Sequence, residues 1–200
     1  GGDARQPRAR RLAELVAAKL ARLGPAADLR QATAPDRPTL AYAHLFELYH
    51  AHHGDFDALI AAQEARPDES VPVRFAPSLL AELVRRGFTR DEAGQQLALF
   101  FQLRRAFVFI ERALVGDSAC MRGLREALWN NIFTRDVRRY AGYLVGRMED
   151  FSTLLLGETG TGKGSAAEAI GQSGFIPFEA RTGRCAESFA RAFVSLNLSE

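Results

Sequence analysis

Apolar residues recur every three or four positions through most of the first 150 residues, the period of helices that bury one face. Leu12, Leu15, Val16, Leu20 and Leu23 predict an amphipathic helix over 8–23, with arginines on its other face and Gly24-Pro25 at its end. Residues 26–38, rich in Ala, Asp, Gln, Thr and Pro, predict a loop. Tyr42, Leu45, Phe46 and Tyr49 then predict a second helix running to about His53. Gly54-Asp55 is the expected break, followed by a short third helix on Phe56, Leu59 and Ile60 and a polar stretch over 66–73. Leu79, Leu80, Leu83 and Val84 predict a fourth, closed by Gly87.

Thr89-Arg90-Asp91-Glu92 has the form of a capping box, in which Thr and Glu satisfy the first free amides of a helix. The long helix predicted to follow, Glu92–Leu114, carries Phe100, Leu103, Phe107, Ile110 and Leu114 on a heptad-like seam widened by Leu97, Phe101 and Val108. Such a helix is either the centre of a bundle or part of a subunit interface. Gly116, Asp117 and Ser118 interrupt the pattern, and we place a domain boundary there, dividing an all-α region, 1–112, from 113–200. Beyond it, Met121, Leu124, Leu128 and Ile132 predict one helix, and Val137, Tyr140, Ala141, Leu144, Val145 and Met148, capped by Thr134, predict another. The period then changes. Phe151–Leu156 is a short apolar run, the pattern of a strand buried on both faces of a parallel sheet.

Directly after that run stands Gly157-Glu158-Thr159-Gly160-Thr161-Gly162-Lys163-Gly164, and the Ala-rich segment from Ser165 to Ile170 favours helix. Strand, glycine-rich turn and helix form the setting of a phosphate-binding loop. Its backbone amides converge on an anion, and the helix N-terminus adds positive potential. The glycines let the backbone bend and approach phosphate oxygens, and Lys163 reaches the β- and γ-phosphates. Gly164 stands where a Ser or Thr hydroxyl usually coordinates magnesium. Ser165, one residue later, is the hydroxyl candidate for Mg2+, with water or another residue as the alternatives.

Composition narrows the class without naming a partner. With 47% hydrophobic and 25% charged residues the chain is globular, and its longest apolar stretches, Leu97–Phe101 and Phe107–Ile110, fall far short of the ~20 residues of a membrane span. Net charge is +2, too balanced for a nucleic-acid-binding surplus. Cys120 and Cys185 are too few for a disulfide framework and lack zinc-site spacing, so a reducing cytoplasm is expected. The start at Gly1-Gly2-Asp3 and the stop at Ser199-Glu200 without a helix-ending signal read as a fragment cut at both ends. Only Lys19 and Lys163 are lysines, every other basic residue being arginine, which singles out the Lys of the loop.

The segment Leu154–Gly164, with its G-E-T-G-T-G-K core, resembles the phosphate loop of sigma-54-dependent transcriptional activators, the bacterial enhancer-binding AAA+ ATPases. That family commonly lacks the hydroxyl after the Lys, usually having Glu there, so Gly164 departs from its pattern too. Leu114–Met121 is similar to the family's opening segment, which places Val115 and Gly116 near the adenine, and Ala192–Leu198 is similar to its second strand, ending in Asn197. The helical stretch between Trp129 and Asp150 is longer than the family's, and 174–184 resembles a small insertion. The resemblance covers about 113–200.

It implies an α-helical regulatory domain followed by the start of an α/β P-loop domain, with ATP and Mg2+ as cofactors and no membrane contact. In the whole protein it implies a hexameric ring that hydrolyses ATP to remodel the sigma-54 RNA polymerase holoenzyme and binds DNA through a C-terminal domain. The Walker B acid, sensors and arginine fingers would lie beyond Glu200. Two other readings stay open: a P-loop ATPase or kinase outside transcription, and a non-catalytic interaction module with a vestigial loop. The regulatory domain lacks the alternating strands of a receiver domain, and the 92–114 helix is expected to couple it to the ATPase. His44, His50, His52 and His53 are expected to be surface groups favoured by a helix C-terminus, in preference to a metal site of His50, His53 and Asp57. Glu158 is expected to be a loop side chain, not a base, and Cys185 beside Arg184 an inert thiol. The arginines of 5–11 and 135–139 are read as solvated helix faces.

Overall fold

The capping box at Thr89 is present: its hydroxyl accepts from the Glu92 amide while the Glu92 carboxylate accepts from the Thr89 amide, and the helix it starts is the axis of the chain. The computed structural model describes residues 2–147 and 152–196, with side chains from residue 8 onward. Helix α1 (Gly2–Leu23) passes into a 3-10 turn at Gly24-Pro25, and α2 (Arg37–Ala51), α3 (His53–Glu64) and α4 (Ala76–Arg85) follow. The break between α2 and α3 falls at His52, two to three residues earlier than the sequence suggests, because Gly54 and Asp55 occupy the first turn of α3. Asp55 favours that position electrostatically and its carboxylate accepts from His52 Nδ1 at 2.7 Å.

Helix α5 (Arg90–Ala113) lies inside the bundle, which decides between core and interface. Leu97, Phe100 and Phe101 are buried against Phe56, Ile60, Leu79 and Leu83, and its far side packs Leu99, Ala106 and Ile110 on Leu128, Ile132 and Phe133 of α6 (Ala119–Phe133). From Leu97 to Ile110 no residue of α5 is exposed, Gln102, Arg104 and Arg105 included, so this part of the helix is enclosed on all sides. Ser118 caps α6 by accepting from the Met121 amide.

After α6 the expected long helix is cut short. Asp136, not Thr134, supplies the cap, and a three-residue α7 (Val137–Arg139) opens into a π-type turn over Tyr140–Leu144. Gly142 and Gly146 weaken the helix here, Gly146 taking φ +75°, and the buried Tyr140 ring, edge-on to Phe133, sets the local winding. Met148, the last expected position of that helix, lies outside the described residues.

The predicted strand at 151–156 is not formed among the described residues, since 152–158 has no regular structure and Leu154 and Leu156 are 80% and 84% exposed. Residues 193–196 of the second expected strand are likewise irregular, with Val194 and Leu196 exposed. A parallel strand needs hydrogen-bonding neighbours on a covered sheet, and the described residues supply none. The fold is therefore mainly α. Its only sheet among the described residues is a small antiparallel hairpin, β1 (Phe178–Glu179) and β2 (Arg184–Cys185), which overlaps the stretch read as an insertion and runs one residue past it. The hairpin docks on the 70–73 loop, where Val73 N donates to Gly183 O at 2.8 Å and Ser70 Oγ to Cys185 O at 2.7 Å. Ile176, Cys185 and Phe189 thereby enter the same core as Phe56 and Phe101, so buried surface runs across the boundary at 112.

Candidate phosphate-binding loop and its supports

The glycine-rich segment leads into α8 (Lys163–Gly171), as expected, with Lys163 as the first helical residue. Gly160 and Gly162 take φ +82° and +85°, left-handed geometry that a side chain would strain, and Gly162 is the N-cap. No side chain caps the helix, so no side-chain acceptor occupies its first amides. The first helical bond that spans the cap is Ala166 N to Gly162 O at 3.0 Å. Glu158, Thr159, Thr161, Gly164 and Ser165 are exposed, and Ser165 stands in the first turn of α8.

Lys163 folds back over the loop. Its Nζ donates to the carbonyls of Gly157 at 2.8 Å and Glu158 at 2.6 Å, and Thr161 Oγ1 donates to the same Glu158 oxygen at 2.7 Å. The Glu158 backbone thus closes the loop while its carboxylate takes no part in these bonds. A Cβ on Gly157 would stand 3.0 Å from Thr161 Oγ1, a tight contact that a larger residue there would relieve only by displacing the Thr161 side chain by a few tenths of an ångström. The residue types fit a phosphate group: a single ammonium, two left-handed glycines and a helix N-terminus without a side-chain cap follow one another within residues 160–163. Val115, in the connection between α5 and α6, is 81% exposed, and Gly116, at φ +118°, has its carbonyl held by Arg125 Nη2 at 2.7 Å.

The other end of α8 is held from α5. Arg105, fully buried, donates from Nη1 to Gln172 O and from Nη2 to Gly174 O, both at 2.7 Å, with Phe101 and Phe189 rings 4.7 and 5.5 Å from its guanidinium carbon. Burial lowers its pKa to about 10, far enough above neutrality to leave the cation intact. Gln102, three residues earlier on the same face, donates to Ser173 O at 2.9 Å and exchanges hydrogen bonds with Tyr140 Oη. Sequence reading missed both residues. The available signal was a pair of arginines in the middle of an otherwise apolar helix, which demands buried carbonyl or carboxylate partners. Arg104 meets that demand through Asp57, with both bonds at 2.7 Å.

His44, His50 and His53 are not the surface groups expected. His44 is buried, donating from Nε2 to Ala27 O at 2.7 Å and accepting from Arg86 at Nδ1, because the turn after α1 needs a donor there. The rings of His50 and His53 lie 4.5 Å apart, tilted by 57°, in the wall of a cavity of about 840 Å3 between α1, α2, α3, α5 and α6, shared with Tyr49, Arg104, Phe107 and Trp129. Burial pushes the His53 pKa down to about 4 and lowers that of His50, the Arg104 charge acting in the same direction. Asp57 is engaged by Arg104, and no group of three or more His, Cys, Asp or Glu among the described residues is placed to hold a metal ion. Cys185 is buried and its thiol is pushed up to about 11, while Arg184 turns away to donate to Ser70 O.

No helix among the described residues is long and apolar enough to cross a membrane. Compared with family models, curated proteins and solved structures, the chain matches none.

Proposed function

We propose that residues 157–164 bind the phosphates of ATP, and that the chain is the regulatory region and first part of the P-loop domain of an ATP-dependent transcriptional activator acting on sigma-54 RNA polymerase. The observation that carries the first half is the placement of Lys163 at the uncapped N-terminus of α8 behind two left-handed glycines. Phosphate oxygens would take over the ammonium contacts now made by the Gly157 and Glu158 carbonyls. Gly160, Gly162 and Gly164 would present backbone amides, and Ser165 would be the hydroxyl candidate for Mg2+. When bound, ATP supplies a phosphoanhydride whose cleavage drives remodelling; these residues bind and orient it.

The transcriptional half rests on the G-E-T-G-T-G-K resemblance, as do the ring assembly, the polymerase partner and DNA binding by a further domain. The test is binding of ATP and ADP with magnesium to the chain and to Lys163→Ala. Loss of binding in the variant supports the phosphate site. Equal binding in both, or none in either, favours the interaction-module reading, in which Lys163 serves only to close the loop through Gly157 and Glu158.

A further inference from the structure

The phosphate-site reading concerns one end of α8; its other end carries a second arrangement. The turn that follows α8 exposes three successive carbonyls, those of Gln172, Ser173 and Gly174, inside the molecule rather than to water. Unmet carbonyls at a helix C-terminus demand donors, and all three are met from α5: two by the fork of Arg105, one by Gln102. The cation also lies at the negative end of the α8 dipole, opposite the end that faces the loop. Ser173 Oγ, donating to Ala169 O at 2.5 Å, ties the turn back to the helix, so the turn and α8 move together. With nine residues α8 is about 13 Å long, too short to bend appreciably between its ends.

We propose that Gln102 and Arg105 are positioning residues for the phosphate loop: by holding the carbonyls of residues 172–174 they fix where the first turn of α8, with Lys163, stands relative to α5. The helical region and the loop then respond to one another, because any coupling of loop geometry to the α5 contact is reciprocal. This inference rests on the phosphate-site reading for its functional consequence, but its structural claim is separable.

The experiment uses the whole chain with Gln102→Met, which keeps core volume, and Arg105→Lys, which keeps the charge but loses the fork. Circular dichroism establishes folding, a fluorescent ATP analogue with Mg2+ reports affinity, and amide hydrogen exchange reports residues 158–166. The expected result is folded Gln102→Met with faster exchange at 158–166, unchanged exchange in α2 and α3, and affinity weakened about three- to tenfold, Arg105→Lys behaving alike. A merely structural role would speed exchange throughout. Folded variants whose exchange at 158–166 and affinity equal those of the parent overturn the proposal, as does uniform acceleration. If the parent binds no nucleotide, the phosphate reading fails, and exchange alone decides whether α5 positions the loop.

Discussion

Lys163 Nζ lies 2.6 Å from the carbonyl oxygen of Glu158, five residues back along the chain, so the loop's cation is held by the loop itself. Both groups are at the surface, where such bonds contribute little to global stability. Lys163→Ala is therefore expected to shift the thermal midpoint by no more than about 2–4 °C while removing nucleotide binding. Parallel melts of the two proteins check this, and a collapse in stability would make Lys163 a structural residue.

His53 and His50 predict a pH dependence with a definite sign. Facing them are Tyr49 on α2, Asp57 on α3, Arg104 on α5, and Arg10 and Glu14 on α1. A histidine whose folded pKa is about 4, against 6.5 unfolded, binds its proton more readily when the chain is unfolded. Its contribution is complete above pH 6.5 and is lost as pH falls toward 4. Discounting for the partly open cavity, the loss from His53 is about 1–2 kcal/mol. Urea midpoints at pH 7.5 and 5 should differ in that direction, and His53→Gln should narrow the difference; a flat profile would remove the burial argument.

Gly87 closes α4 at φ +101°, and a Cβ there would stand 2.9 Å from Asp28 Oδ1, 3.0 Å from Leu29 Cβ and 3.1 Å from Arg30 N. Leu29 N also donates to Arg86 O, so the two loops are locked together at this point. Gly87→Ala combines backbone strain with a clash against main chain and is expected to cost about 1–3 kcal/mol. Gly54→Ala, with nothing within 4 Å of its Cβ and a helical site, is the matched control and should be neutral or stabilising. Denaturant titration of the pair measures both.

Legibility followed the distance between partners in sequence. The six helices up to Phe133 announce themselves because their periods and caps are local: Thr89 and Glu92 are three residues apart, as are Ser118 and Met121. Residues 137–147 were misread because a regular apolar period was outweighed by Gly142, Gly146 and the anchoring of Tyr140 by Gln102, 38 positions away. The loop was legible as glycines and one Lys, but the strand expected before it is not formed among the described residues, since a strand is defined by neighbours that those residues do not provide. Arg105 reaches carbonyls 67 and 69 residues on, a pairing that no local pattern encodes.

The two cysteines give a direct probe of how the hairpin sits. Cys120 is exposed in the first turn of α6, whereas Cys185 is buried beside Arg105 with its thiol pushed up to about 11. Reaction needs a thiolate and access, and Cys185 has neither at neutral pH. One thiol should therefore label rapidly in the native chain, with Cys120→Ser leaving almost none. Cys185 should label only as the hairpin leaves the 70–73 loop and α5, since Ser70 Oγ holds its carbonyl at 2.7 Å and Val73 N that of Gly183 at 2.8 Å. Its slow rate in Cys120→Ser then measures local opening of this region, and Ser70→Ala, which removes one tie, should raise that rate several-fold, by about what a hydrogen bond of 0.5–1.5 kcal/mol allows. Rapid labelling of Cys185 in the native chain would mean that the hairpin is not seated on α5.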